Sequence, residues 1–133
     1  MLSRQRSSPA NFVTIALDRL RQRQPFRAVN DLTVSPTYVP DLVNASLDLL
    51  IDGAEGVWHL ANRGAVTWFE LAQMAALRAG LETSMLQGCG AEIEGLRARR
   101  PRYSVLGTNR GTLLLDEALD RYLDQRARTG RAA

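Results

Sequence analysis

The stretch DLTVSPTYVPDLVNASLDLL, residues 31–50, decides how the rest of the sequence is interpreted. A short β-rich segment leads into Ser35-Pro36-Thr37-Tyr38, and a second proline, Pro40, opens an apolar helical pattern. Because proline fixes its own φ and restricts the residue before it, the backbone around Tyr38 has few conformations available. The stretch therefore predicts a strand, a rigid connector and a helix. The helix residues expected to face the core are Val43, Leu47, Leu50 and Ile51.

The sequence before this stretch predicts one helix and one strand. NFVTIALDRLRQRQP, residues 11–25, has one apolar helical stripe, and Pro25 ends the pattern. FRAVN, residues 26–30, is a short strand candidate. The stripe residues are Phe12, Ile15, Ala16 and Leu20.

The sequence after this stretch predicts further short strands and two helices. GVWHLAN, residues 56–62, alternates in the manner of a central strand, and TSMLQG, residues 83–88, is a second strand candidate. In TWFELAQMAALRAG, residues 67–80, Thr67 and Glu70 have the spacing of a helix capping box. A terminal helix follows in LDEALDRYLDQRA, with Leu115, Leu119, Tyr122 and Leu123 facing inward.

The length and composition indicate a single domain. With 133 residues, 45% hydrophobic and 23% charged, the chain is large enough for one core. We expect an N-terminal arm at residues 1–10, a domain at residues 11–126 and a frayed tail at residues 127–133. No stretch resembles a secretory signal or a membrane span, which predicts a cytoplasmic protein that does not bind membranes.

The basic and metal-ligating residues exclude several kinds of chemistry. All 17 basic residues are arginine, so no lysine is available for a Schiff base or for a phosphate-binding loop. One cysteine, Cys89, and one histidine, His59, do not make a zinc site, and His59 is interpreted as structural. The net charge of +3, with arginines interleaved among acids, does not favour nucleic-acid binding.

Four segments, taken in order, resemble the substrate-binding half of a known enzyme family. They are NFV from Asn11, VSPTYVPDLV at 34–43, GVWHLANRGAVTWFELA at 56–72 and RRPRYSVLG at 99–107. Their order and spacing are similar to the C-terminal half of dTDP-4-dehydrorhamnose reductase, an extended short-chain dehydrogenase. The resemblance implies an α/β fold, namely the small substrate-binding domain of such an enzyme, with three to four helices and short strands and without the Rossmann half.

The chain lacks the residues with which this family binds the cofactor and transfers hydride. A complete reductase has a Gly-x-x-Gly-x-x-Gly turn between a strand and a helix, and a Tyr-x-x-x-Lys pair. Neither occurs here, so no catalytic or cofactor-binding residue is predicted in this chain. The resemblance therefore implies an NAD(P)H-dependent oxidoreductase of deoxysugar biosynthesis whose cofactor is held elsewhere, and this chain alone is expected to be inactive.

The resemblance also implies which residues bind a dTDP-sugar. Arg100 corresponds to the arginine that contacts the diphosphate, and a planar guanidinium suits paired phosphate oxygens. Arg99 and Arg102 are expected to assist Arg100. Asn11 either lies near the ligand or is a helix N-cap. In relatives, the segment with Ser35, Thr37 and Tyr38 lies where the substrate half meets the cofactor half.

Two classes of function remain open at this point. The first is the nucleotide-sugar-binding half of a reductase, completed by a Rossmann half in cis or in trans. The second is a non-catalytic binding or interaction module that kept the fold and associates with itself as a homodimer, because large apolar surfaces are seldom left bare.

Overall fold

The computed structural model describes residues 11–92, 97–108 and 113–131, and these contain four helices and five short strands. In chain order they are α1 Phe12–Arg21, β1 Phe26–Val29, β2 Thr33–Val34, α2 Val39–Ile51, β3 Val66–Thr67, α3 Trp68–Arg78, β4 Leu86–Cys89, β5 Tyr103–Ser104 and α4 Leu115–Arg131.

The strands form two small sheets. β1 and β4 pair in parallel, with Phe26 opposite Leu86 and Val29 opposite Cys89. The second sheet has the order β3-β2-β5, in which β2 is antiparallel to β3 and parallel to β5. This arrangement confirms the predicted small α/β domain, because neither sheet is large enough for a doubly wound fold.

The core lies where α1 and α3 pack on the β1–β4 sheet. Alanines at the helix contacts, Ala16, Ala72 and Ala76, are completely buried and allow the two helices to approach closely. A second cluster joins α4 to this core through Leu17, Ala75 and Leu119. Among the described residues, no helix is both long and apolar enough to cross a bilayer.

Side-chain caps fix the start of α1 and of α3. Asn11 is the N-cap of α1, and its Oδ1 accepts a hydrogen bond of 2.9 Å from the Thr14 amide. At α3, the Thr67 hydroxyl accepts from the Glu70 amide, and the Glu70 carboxylate accepts from the Thr67 amide. The predicted capping box is therefore confirmed.

An ion-pair cluster joins α3 to α4. Arg78 donates to Asp116 and to Asp120, each at 2.8 Å. Burial alone would lower the pKa of Arg78, but the hydrogen bond to Asp116 and the charge of Asp120 outweigh it and raise the pKa. The side chains of Asp116 and Asp120 remain more than half exposed, and their contribution is to hold the two helices in register.

Three expectations about burial and local structure are wrong. The segment GVWHLAN is irregular: Gly56 has φ 89°, and the indole of Trp58 donates to the Glu55 carbonyl, so the chain turns where a strand was expected. On α1, Ile15 is exposed and Leu17 is buried in its place. On α2 no residue is buried, and the expected core face points outward at Val43, Leu47, Leu50 and Ile51. α4 itself ends at Arg131, and the predicted division between domain and tail at residue 126 stays a prediction.

We predict that Thr67→Ala lowers the free energy of unfolding by about 1 kcal/mol, because the Glu70 amide loses its acceptor at the start of α3. Thr67→Ser keeps a hydroxyl at the same position and should stay within a few tenths of a kcal/mol of the wild type, since serine caps helices as well as threonine does. Urea unfolding followed by circular dichroism measures both. Equal losses in the two variants would show that the cap is not the cause.

Candidate functional site

The segment Ser35–Tyr38 lies against the loop that carries the predicted phosphate-binding arginines. The amide of Thr33 donates to the carbonyl of Arg102 at 2.8 Å, and the amide of Leu106 donates to the Ser35 hydroxyl at 2.9 Å. Ser104 adds a longer contact of 3.5 Å from its hydroxyl to the Thr33 carbonyl. Strand pairing between β2 and β5 therefore places two of the four family-like segments side by side.

A single buried side chain, Asn62, holds the rigid connector in place. Asn62 is 1% exposed. Its Oδ1 accepts from the Tyr38 amide at 2.8 Å, and its Nδ2 donates to Asp41 Oδ2 at 2.9 Å and to the Leu113 carbonyl at 3.1 Å. Its own amide donates to the Thr37 hydroxyl at 3.3 Å. We call these bonds the Asn62 network; they join α2, the connector and the residues preceding α4.

Arg121 extends this network into α4. Its Nη2 lies 2.5 Å from Asp41 Oδ2, and the Asp41 side chain is only 12% exposed. The guanidinium carbon also lies 5.9 Å from the centre of the Tyr38 ring, within the range of a cation–π contact. Asp41 thus bridges an amide and a cation, which is how a mostly buried carboxylate is usually stabilised.

Two tyrosines complete the link from the connector to α1. The rings of Tyr38 and Tyr122 meet edge to face with centroids 6.2 Å apart, and the Tyr38 hydroxyl donates to Gln125 Oε1. The Tyr122 hydroxyl lies 2.6 Å from the Thr14 hydroxyl, and Asn11 Nδ2 donates to the Tyr122 hydroxyl at 3.2 Å. The last helix is therefore bound to the first helix and to the connector at once.

Two depressions share Asn62 as a common wall. The first, the acidic cavity, has a volume of about 220 Å³ and carries the carboxylates of Asp41 and Asp48. The second, the groove, has a volume of about 370 Å³ and is lined by Arg63 together with Leu106 and Gly107. Only the groove has the charge that a phosphate requires, because the acids of the first cavity would repel an anion.

The turn through Gly64 gives the groove its shape. Gly64 has φ 150°, and a Cβ at this position would lie 2.9 Å from the Cβ of Leu115. Any other residue would push α4 away, so this glycine permits the close approach that brings Arg63 beside the start of α4. Backbone bonds between Arg63 and residues 113 and 115 fix the approach.

The three predicted arginines lie at the surface of the domain. Arg99, Arg100 and Arg102 are all exposed, and within the described ranges none of them forms an ion pair with an acidic side chain. A guanidinium without a carboxylate partner is ready to pair with phosphate oxygens. The backbone of the loop is held by the bond from the Thr33 amide to the Arg102 carbonyl.

The other predicted binding residues have partners within this chain. Thr37 donates from its hydroxyl to the Ser35 carbonyl and accepts from the Asn62 amide. Asn11 is a helix N-cap and contacts Tyr122, and no contact joins it to the arginine loop in the part of the chain that the structure describes. The N-cap interpretation of Asn11 is thus confirmed, and a direct role for Asn11 in ligand binding stays a prediction.

Sequence reasoning missed Asn62 and Arg63. The residues occur together as ANRG, residues 61–64, inside the segment that resembles the family. The available signal was a polar residue followed by Gly64 after an apolar run, a pattern that predicts a turn. Nothing local indicates that Asn62 is buried, because its side-chain partners lie 21 to 51 residues away.

The described residues do not fit a nicotinamide cofactor or a metal ion. No described strand leads through a glycine-rich turn into a helix; β2 is followed by Ser-Pro-Thr-Tyr and β3 runs directly into α3. Without such a turn, the diphosphate of a dinucleotide has no row of backbone amides to bind. The described residues also contain no cluster of three metal-ligating side chains.

Comparison with known proteins places the domain in a family. The RmlD substrate binding domain family matches residues 5–126. The chain belongs to this family. The match covers all four segments on which the resemblance was based, and it confirms the substrate-binding half of a dTDP-4-dehydrorhamnose reductase-like protein as the identity of the domain.

Individual relatives of this RmlD substrate binding domain agree. It is 37% identical over 97 residues to the spore coat polysaccharide biosynthesis protein SpsK of Bacillus subtilis, covering 73% of this chain and 34% of the relative. It is 36% identical over 83 residues to the dTDP-4-dehydrorhamnose reductase of Mycolicibacterium smegmatis, covering 62% of this chain and 25% of the relative. The chain thus spans about a third or less of these relatives.

The fold of the domain also matches solved reductases. The dTDP-4-dehydrorhamnose reductase of Bacillus anthracis, solved in complex with NADP, superposes with a TM-score of 0.81 at 28% identity, covering 87% of this chain and 43% of that one. The Clostridium acetobutylicum reductase gives a TM-score of 0.82 at 24% identity, covering 90% and 45% of the two chains. The region of each reductase that has this order of helices and short strands is therefore less than half of that chain.

We predict that Asn62→Ala lowers the free energy of unfolding by about 3 kcal/mol, because the Tyr38 amide loses its acceptor while Asp41 and the Leu113 carbonyl each lose one of two partners. Urea unfolding gives the loss. Hydrogen exchange at the Tyr38 amide should also speed up.

Asn44→Ala is the matched control, since Asn44 is an exposed asparagine that lines the same acidic cavity. Its effect should stay within about 0.5 kcal/mol. If the two asparagine variants cost the same, the Asn62 network does not hold the site together.

Proposed function

We propose that this domain binds the nucleotide-sugar substrate of an NAD(P)H-dependent oxidoreductase related to dTDP-4-dehydrorhamnose reductase, and that it is inactive alone. The observation that carries the proposal is the groove beside Asn62, where the family-like segments at residues 33–38, 62–65 and 103–108 meet. Ligands commonly bind where segments distant in sequence converge at a concave surface. The relatives named above act in sugar-nucleotide and polysaccharide biosynthesis by their names.

The charges around the groove suit a diphosphate. Arg63 lines the groove, and Arg100 lies on the loop that leads into β5 and so into the groove wall. Arg100 pairs with the diphosphate, with Arg99 and Arg102 as additional cations. A guanidinium fork can bind two phosphate oxygens at once, which orients the nucleotide as well as holding it.

The uncharged part of the ligand requires hydroxyl and amide groups. Ser35 sets the groove wall by accepting from the Leu106 amide, and Thr37 and Tyr38 are fixed by the Asn62 network. These three residues position the site, and a second acceptor lone pair on each hydroxyl remains available for a sugar hydroxyl. Asn11 does not line the groove and contributes indirectly, through its contact with Tyr122, whose ring packs on Tyr38.

The reaction itself requires a second part. NAD(P)H supplies the hydride in the complete enzyme, and a Rossmann half holds it, either in the same polypeptide or in a partner chain. Two observations support this: the described residues do not fit a dinucleotide, and the chain covers 43% of the Bacillus anthracis reductase that was solved with NADP. The residues of this chain bind and orient the sugar nucleotide.

Isothermal titration calorimetry with dTDP tests the binding site. We expect saturable binding at millimolar ligand or below, and Arg100→Ala should weaken it by about tenfold to a hundredfold, because a charge-assisted contact to phosphate contributes about 1.5–3 kcal/mol. Arg19→Ala removes an exposed cation from α1 and should leave the affinity unchanged. No heat from dTDP or from a dTDP-sugar, with or without a Rossmann half, would overturn the proposal in favour of a non-catalytic module.

Turnover measurements test the second half of the proposal. The purified chain, mixed with NADPH or NADH and dTDP-4-dehydrorhamnose, should show no oxidation of the nicotinamide above the rate without protein. Activity that co-purifies with the chain and is lost in Arg100→Ala would contradict the assignment of the chemistry to another part.

A further inference from the structure

Tyr103, on β5, is the most exposed aromatic residue in the described part of the chain. It is 67% exposed, and Trp58 follows at 39%. The hydroxyl groups of the other two tyrosines, Tyr38 and Tyr122, form side-chain hydrogen bonds. The Tyr103 hydroxyl forms none with a described residue, and no described ring or guanidinium lies over its ring. The ring of Tyr103 is therefore available to a ligand.

The remaining aromatic side chains have a function within the fold. The ring of Phe12 lies 5.6 Å from that of Phe26 and 5.0 Å from that of Trp68. Phe69 packs on the same core, and the indole of Trp58 donates to a backbone carbonyl. Interactions among the described residues thus account for every aromatic side chain except that of Tyr103.

The strand register places the Tyr103 side chain on the side of the sheet that carries the groove. Tyr103 pairs with Thr33 in β2, and Thr33 pairs with Thr67 in β3, so the three side chains form one row. Residues two positions apart in an extended chain point to the same side. Val105 stands two positions after Tyr103 and lines the groove. Ala65 stands two positions before Thr67 and lines it as well. The ring therefore lies at one end of the groove.

Cations lie on both sides of Tyr103. Arg63 lines the groove on one side. On the other side, Arg102 directly precedes the tyrosine, and Arg100 stands three positions before it, at most about 11 Å along the chain. β5 is at the edge of its sheet, so among the described strands nothing covers its outer side. A nucleotide with its base on Tyr103 thus has a guanidinium within reach of its phosphates in either orientation.

We propose that Tyr103 stacks on the nucleobase of the bound nucleotide sugar. This rests on the function proposed above, and it names the residue that holds the base. The arginines bind the diphosphate, and the ring covers one face of the base. Stacking tolerates every base, because every base has a π face. Tyr103 therefore adds affinity for the nucleoside part of the ligand and does not select thymine over another pyrimidine.

A single-stranded nucleic acid is the weaker candidate for the ligand. Proteins that bind single strands stack successive bases on several aromatic side chains. The groove has one exposed ring beside it, because the other exposed aromatic residue of the described chain, Trp58, lies outside the groove. One ring suits one nucleotide.

Isothermal titration calorimetry with dTDP and with inorganic pyrophosphate tests the proposal on the full 133-residue chain. Tyr103→Ala should weaken dTDP binding by about fivefold to a hundredfold, which is the contribution of stacking one base. It should leave pyrophosphate binding unchanged, because pyrophosphate has no base. Tyr103→Phe keeps the ring and should bind dTDP with the affinity of the wild type.

Trp58→Ala is the matched control, because it removes an exposed aromatic side chain outside the groove. It should leave the affinity for dTDP unchanged. Urea unfolding is measured for each variant, and Tyr103→Ala should unfold like the wild type because the side chain is exposed.

NMR of the tyrosine rings gives a second measurement, which is made on the wild-type protein. The signal of the Tyr103 ring is identified by its disappearance in Tyr103→Phe. Addition of dTDP or of UDP should shift this signal, because the ring current of a stacked base acts on the protons of the tyrosine ring. Addition of pyrophosphate should not shift it.

The outcomes separate this proposal from the proposed function. If Tyr103→Ala binds dTDP like the wild type and the ring signal does not shift, stacking is overturned and the proposed function stands. Equal losses in Tyr103→Ala and Tyr103→Phe would assign the contact to the hydroxyl, and a loss of pyrophosphate binding in Tyr103→Ala would assign the effect to the arginine loop. Either result overturns stacking. A wild-type chain that does not bind dTDP, or that binds a thymidine oligonucleotide more tightly than dTDP, overturns both proposals.

Discussion

The buried side chain of Asn62 is the constraint on which the rest of the site depends. An amide has both donors and acceptors, and here it bonds the connector, α2 and the chain before α4 at the same time. A hydrophobic residue of the same size would leave the Tyr38 amide unpaired and would remove one bond each from Asp41 and the Leu113 carbonyl, and an acid would repel Asp41. The polar bonds therefore determine the orientation of α2, which its apolar residues alone would have reversed.

This constraint explains the function of the two prolines on either side of Tyr38. Pro36 and Pro40 limit the backbone conformations of the segment before it folds, so less entropy is lost when Tyr38 and Thr37 bond to Asn62. The connector then presents one side to the groove through Ser35 and the other to Tyr122 through the ring of Tyr38. The connector is thus rigid and at the same time in contact with the groove wall.

Local patterns were enough to predict the elements whose cause is local. α1, α3, α4, β1 and β4 follow from apolar periodicity together with caps that lie within three residues of the helix start. The pattern at residues 56–62 failed because alternation describes an extended chain but does not provide a partner strand. α2 was correctly predicted as a helix, but the prediction that its apolar stripe faces the core was wrong. Periodicity shows that an apolar stripe exists and does not show what covers it.

The candidate site was predictable only in part, for a related reason. The resemblance indicated the segments, and the structure brings the connector and the arginine loop together through β2 and β5. It did not indicate Asn62, whose partners are distant, or Arg63, whose place in the groove depends on Gly64 lying against Leu115. Pairings over such distances are set by packing, and no window of sequence contains both members.

The contact between the first and last helices has a consequence for the order in which the domain is made. Tyr122 bonds Thr14 across 108 positions, and Arg126 pairs with Asp18 across the same separation. The Asn62 network likewise cannot be completed before Leu113 and Arg121 have been synthesised. A chain emerging from the ribosome can form α1, α2 and α3 early, but it cannot close the groove until α4 has been synthesised. Until then the unfinished core is exposed in addition to the leucines of α2, so aggregation with other chains is favoured most at this stage.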